Sequence, residues 1–153
     1  MRIVVVEDEA PIREGMAKLL SKINPEYELV GKAADGEAGY QLIRELNPDL
    51  VIMDIRMPKM DGIAMMKKLR EENIKCKAII LSAYSEFQYA QKAIELKADS
   101  YLLKPIKIPE LKSALKQAER EISEDQGTEQ IFFRGKYYVG LYAWSGAPEF
   151  TIK

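Results

Sequence analysis

Leu50-Val51-Ile52-Met53-Asp54-Ile55-Arg56-Met57-Pro58-Lys59-Met60-Asp61-Gly62 sets a short apolar run against an acid, then a loop marked by Pro58 and Gly62. A continuous apolar run, rather than an alternating one, suits a strand buried on both faces, as in a parallel sheet. The theme repeats on either side of it. Ile3–Val6 runs into Glu7-Asp8, Tyr27–Ala33 holds Leu29–Val30, Ala78–Leu81 ends at Ser82, and Tyr101–Leu103 ends at Lys104. Between these runs lie stripes at helical spacing: Ile12, Met16, Leu19 and Ile23; Gly39, Leu42, Ile43 and Leu46; Ile63, Met66 and Leu69; Phe87, Ala90 and Ile94; Leu111, Leu115, Ala118 and Ile122.

The punctuation agrees. Asp35 precedes the second helix and Asn47-Pro48 ends it. Ser85 with Gln88 forms a capping box for the fourth, and Pro109 suits the first turn of the fifth. Residues 1–124 are therefore expected to form (βα)₅, a doubly wound parallel α/β sheet with right-handed crossovers and helices on both faces. Residues 125–153 read as linker and tail. Asp125-Gln126-Gly127-Thr128 is expected to end the last helix, and Ile131–Trp144 reads as a β-hairpin around Arg134-Gly135-Lys136. A hairpin alone is marginal in water, so this tail is expected to begin a further, truncated domain or to be an appended segment.

Composition narrows the chemistry. With 47% apolar and 31% charged residues, the chain reads as globular, and its 153 residues suit one domain with a core. No apolar run is long enough for a membrane span, and no signal peptide is visible. The net charge of −1, with no dense Lys/Arg cluster, argues against direct nucleic-acid binding by this chain. The lone Cys76 excludes an internal disulfide and makes a reducing cytoplasm the simplest home. The sequence has no histidine, which removes Ser-His-Asp and Cys-His catalysis and imidazole-based zinc sites. Carboxylates, hydroxyls and lysines remain.

Those residue types fall at the carboxyl ends of the expected strands: Glu7 and Asp8 after the first, Asp54 after the third, Ser82 after the fourth, Lys104 after the fifth. In a doubly wound sheet these ends share one edge, where ligands bind near the topological switch point. Crowded carboxylates raise one another's pKa unless a cation intervenes, and an all-oxygen set suits Mg²⁺. Lys104 and Ser82 can each meet an oxygen of a phosphoryl group. Asp54 is the best nucleophile candidate, since a carboxylate can become an aspartyl phosphate. Taken alone, Glu7-Asp8-Glu9 would read as a solvated acidic run opening a helix, and Asp54 as a loop acid. Their joint placement with Ser82 and Lys104 favours the site.

Val6-Glu7-Asp8-Glu9, Met53–Gly62, Leu81-Ser82-Ala83 and Leu103-Lys104-Pro105 together resemble the signatures of bacterial response-regulator receiver domains, over about residues 1–122. The resemblance implies a flavodoxin-like strand order 2-1-3-4-5 and a sensor histidine kinase as phosphoryl source. It implies that Asp54 is the phosphoacceptor, that Asp8 binds Mg²⁺ directly, Glu7 through water and Arg56 by its backbone carbonyl, and that Lys104, before a cis proline, contacts the phosphoryl group. Ser82 and Tyr101 match the switch pair. Arg56 and Tyr84 match positions flanking the water approach and are expected to tune phosphoryl lifetime. The face of the fourth helix, fifth strand and fifth helix is expected to bind a partner or a second copy. Tyr84–Pro105 further resembles receivers joined to arabinose-regulator-type helix-turn-helix outputs, hence a transcriptional role. Rival classes fit less well. A haloacid-dehalogenase-type phosphohydrolase needs an acid where Arg56 stands, and a flavin or nucleotide binder needs a phosphate loop where Glu7-Asp8-Glu9 stands. A receiver-like domain that no longer takes phosphate would lack part of a site that is complete here.

Overall fold

The computed structural model describes residues 1–83 and 87–134, without the side chains of Phe87 and of residues 126–134. Five strands alternate with five helices: β1 (Arg2–Val6), α1 (Ala10–Ile23), β2 (Glu28–Ala33), α2 (Gly36–Leu46), β3 (Leu50–Asp54), α3 (Gly62–Glu71), β4 (Lys77–Ser82), α4 (Phe87–Glu95), β5 (Ser100–Leu103) and α5 (Ile108–Arg134). The strands form one sheet in the order β2-β1-β3-β4-β5, every pairing parallel. This is the flavodoxin-like order, and β1 and β3 lie side by side. Val4, Val6, Val51, Met53, Ala78 and Ile80 are buried along the three central strands, which is why their sequences carry no polar alternation.

Local chemistry sets the boundaries. The Asp35 carboxylate accepts from Ala38 N at 2.7 Å and opens α2, and Asp61 does the same from Ala64 N at 2.8 Å for α3. Asn47 closes α2 in the left-handed region at φ 48°. The capping box read at Ser85 lies outside the described residues.

Two expectations need correction. The α4 stripe expected on Phe87, Ala90 and Ile94 fails at Ile94, which is 74% exposed, while Ala93 is buried and Tyr89 and Leu96 pack on the core; the Phe87 side chain lies outside the described residues. Tyr89, Ala93 and Leu96 also follow helical spacing, and Ala93, at 2% exposure, is the most buried of the described α4 side chains. Secondly, α5 does not end at Asp125–Thr128 but continues to Arg134. One glycine costs a helix only about 1 kcal/mol, and the Glu, Gln, Lys and Arg residues before it favour helix. Residues 131–134 are thus helical, and the rest of the expected hairpin lies outside the described residues. The chain divides into two compact units, Met1–Leu115 and Lys116–Lys153, the first holding the sheet and the second the later part of α5. No helix among the described residues is long and apolar enough to cross a membrane.

Candidate functional site

Strand pairing delivers the polar residues to one edge. Val6 lies opposite Met53, Asp54 opposite Leu81, and Ser82 opposite Leu103, so Glu7, Asp54, Ser82 and Lys104 all emerge at the carboxyl ends of β1, β3, β4 and β5. The Lys104 ammonium is the centre of the arrangement, donating to Glu7 Oε1 and to Asp54 Oδ2 at 3.0 Å each. Asp54 Oδ1 accepts from Ile55 N at 2.7 Å, and Glu7 Oε2 from Glu9 N at 3.2 Å. Glu7 is only 4% exposed and Asp54 9%, so the first acid of the run is buried in the site, while Asp8 is half-buried and Glu9 is exposed at the start of α1.

Burial has electrostatic consequences. Glu7 is held above the ordinary carboxylate pKa chiefly by desolvation, which the Glu9 N–H and Lys104 oppose without cancelling and the Asp54 charge reinforces. For Lys104, burial acts to lower the pKa, but its hydrogen bonds to Asp54 and Glu7, with their charges, outweigh it and the net shift is upward. The ammonium therefore stays charged beside two buried carboxylates.

Carboxylate oxygens of Glu7, Asp8 and Asp54 lie within 4.8 Å of one another. An anionic, oxygen-only donor set of that compactness fits a hard divalent cation such as Mg²⁺. The loop after β3 is locked against the site: Gly62 N donates to Ile55 O at 2.6 Å, and a Cβ on Gly62 would come within 2.2 Å of the Asp54 carbonyl oxygen. Gly36 is as tight, its hypothetical Cβ 1.9 Å from Met60 O.

The other expected residues are placed as follows. Ser82 is fully buried, and its carbonyl accepts from Lys104 N at 2.8 Å. The Lys104–Pro105 peptide is cis. Tyr101 lies opposite Ile80 and is half-buried against the core. Arg56 turns its guanidinium towards α4, donating to Tyr89 Oη at 3.0 Å. Tyr84 lies outside the described residues. Sequence reasoning missed Arg13, which donates to Glu7 O at 2.7 Å and pins the turn carrying the acids; its helical spacing from Glu9 was the available clue. It also missed Tyr89, whose link to Arg56 spans 33 residues and leaves no local signal.

Both the sequence and the fold have counterparts among known proteins. Residues 3–116 match the family model of the response regulator receiver domain. The nitrate/nitrite response regulator protein NarL of Escherichia coli is 34% identical over 116 residues, 76% of this chain and 53% of that protein. The transcriptional regulatory protein PdtaR of Mycobacterium tuberculosis is 36% identical over 129 residues, 82% of this chain and 62% of that protein. The chain thus spans only part of the relatives it matches. Among solved structures, the REC domain of AraT, a response regulator from Geobacillus stearothermophilus, superposes with a TM-score of 0.73 at 35% identity, covering 82% of this chain and 97% of that one.

Proposed function

The chain belongs to the response regulator receiver domain family, and from that premise we propose that it accepts a phosphoryl group on Asp54 from a sensor histidine kinase and switches the surface it shows to an output. The observation that carries this reading is the single ammonium of Lys104 hydrogen-bonded at once to Asp54 and Glu7 at a strand-end edge. That ammonium is poised to exchange a carboxylate oxygen for a phosphoryl oxygen, because phosphoryl transfer depends mainly on positioning and charge neutralisation.

Mg²⁺ held by Asp8 and Asp54, with Glu7 through water and the Arg56 carbonyl, would neutralise charge on the incoming phosphoryl oxygens. The chain's own residues do the rest. Asp54 Oδ2 attacks phosphorus while the donor's leaving group departs with the bonding pair. Oδ1 stays fixed by Ile55 N. The product carries more negative charge than the carboxylate, and Lys104 and the Ser82 hydroxyl answer it. Ser82 moves to donate to the phosphoryl group, and Tyr101 turns into the vacated space, biasing a two-state equilibrium. The surface that changes is the α4-β5-α5 face, where Ile94, Leu103 and Ile108 are exposed; a second copy of the chain is the favoured occupant, and transcription the favoured output. Arg56, two residues after Asp54, flanks the water approach and prolongs the phosphorylated state.

The test is to incubate the chain with Mg²⁺ and an acyl phosphate, trap the product with borohydride, and map the modified residue. Reduction at Asp54, abolished by chelation of Mg²⁺, is expected. Modification elsewhere, or labelling indifferent to chelator, contradicts the reading.

A further inference from the structure

Two segments frame the carboxylates of the site, and each rests on the first turn of α2. The end of β1 is one of them. Val6, which leads straight into Glu7 and Asp8, is fully buried and paired with Ala33 on one side and Met53 on the other, so it has no room to retreat. A Cβ on Gly39 would stand 2.9 Å from both Val6 methyl carbons and 2.9 Å from Met65 Sδ. The loop between β3 and α3 is the other. Met60 N donates to Pro58 O at 2.7 Å, closing a three-residue turn with Lys59 in the left-handed region at φ 68°. The Met60 carbonyl then lies against Gly36, where a Cβ would come within 1.9 Å of its oxygen and 2.7 Å of its carbon. Lys59 Nζ also reaches Asp35 Oδ2, whose other carboxylate oxygen caps α2, at 3.8 Å. At 64% exposure that ion pair contributes little, so the steric contacts dominate.

We propose that the first turn of α2 is the positioning element of the cation site. Gly36 and Gly39, three residues apart on one helix face, let α2 lie against Met60 and Val6 at once. That sets how far the loop, whose Arg56 carbonyl is a proposed ligand, stands from the acids after β1. The inference rests on the reading of Glu7, Asp8 and Asp54 as a Mg²⁺ site and adds to it what selects the size of the cation. A methyl at Gly36 meets backbone, so the loop or the helix must move. A methyl at Gly39 meets a stiff β-branched side chain on a strand held from both sides, so the helix must move outward and away from Met60. Either response loosens the spacing. Mg²⁺ demands near-ideal octahedral geometry at about 2.0–2.1 Å, whereas Ca²⁺ accepts flexible geometry at about 2.3–2.6 Å. Loosened spacing therefore penalises Mg²⁺ more than Ca²⁺.

The test is titration of the unphosphorylated chain with Mg²⁺ and, separately, with Ca²⁺, followed by the amide ¹⁵N–¹H peaks of Glu7, Asp8, Glu9 and Ile55. In Gly36→Ala, Mg²⁺ affinity is expected to fall roughly tenfold, as when the support of metal ligands is disturbed. Ca²⁺ affinity should fall by less than about threefold, given its tolerance of geometry. Gly39→Ala, which meets side chains only, should shift the ratio the same way, and it carries the test if Gly36→Ala does not fold. Gly31→Ala is the control. Its Cβ would meet Leu42 at 2.7 Å and Leu46 at 3.1 Å, further along α2, so it strains the packing of the helix away from the first turn. It is expected to melt lower with the parental ratio of Mg²⁺ to Ca²⁺ affinity. If Gly36→Ala and Gly39→Ala melt lower but keep that ratio, or if Gly31→Ala changes it as much, the glycines serve packing alone; the inference is then wrong and the cation site stands. If Mg²⁺ moves none of these peaks in the parent, the cation reading fails and the inference falls with it.

Discussion

Lys104 and Glu7 titrate against each other's burial, and the pH dependence of stability separates them. The raised pKa of Lys104 means that its contribution is fully present at neutral pH and below, and is lost as pH rises through the folded-state value. Glu7 has the opposite interest. With its carboxyl raised above 4.5, the folded state holds that proton more tightly, so metal-free stability falls as pH climbs from the unfolded to the folded pKa. Lys104→Met should cost roughly 1–3 kcal/mol at neutral pH, the usual penalty for stranding a buried polar partner, and should flatten the alkaline limb of the stability curve. Denaturant melts across pH give both quantities; an unchanged alkaline limb would count against the pairing. Asp8→Ala should act in reverse. In the absence of divalent ions, removing one of three crowded acids should raise stability by on the order of 1 kcal/mol, while weakening stabilisation by added Mg²⁺. A variant that melts lower without metal and responds to Mg²⁺ like the parent would refute the shared site.

The loop between β3 and α3 is the element on which the site depends, and its control is steric. Gly62→Ala sets a methyl against the Asp54 carbonyl, a backbone atom that cannot step aside, so the loop must shift or the strand end must twist. A loss of roughly 1–3 kcal/mol in denaturant melts, with slower labelling of Asp54, is expected; a silent substitution would show that the loop is not held there. Elements such as this one were legible because their signals are local. Buried parallel strands write themselves as continuous apolar runs, and Asp35 and Asn47 stand where α2 needs a short polar cap and a left-handed residue; the matching cap of α3 by Asp61 was not read. α4 was misread because a nine-residue helix offers too few turns to fix the phase of its buried face, and a large Ile94 outweighs a small Ala93 on any hydropathy reading. The extent of α5 was misread because a single Gly127 is a weak stop inside a run of helix-forming residues.

At the scale of the molecule, parallel strand order does the assembling. Acids after β1 and β3, a hydroxyl at the end of β4 and an ammonium after β5 are spread over nearly a hundred residues, yet the order β2-β1-β3-β4-β5 gathers them at one edge. That convergence was readable from sequence, since each polar residue follows an apolar run. The long-range partnerships of Arg56 and Arg70 were not, because long flexible side chains choose acceptors by tertiary position. If the switch works through the α4-β5-α5 face, phosphorylation should shift the sedimentation coefficient towards a dimer, and Ile94→Glu on that exposed surface should weaken the shift without affecting labelling. The most direct test of the account is the intact mass of the chain after incubation with Mg²⁺ and an acyl phosphate, beside Asp54→Asn. The parent should gain one phosphoryl group and the variant none. Equal labelling of both, or none of the parent, would contradict it.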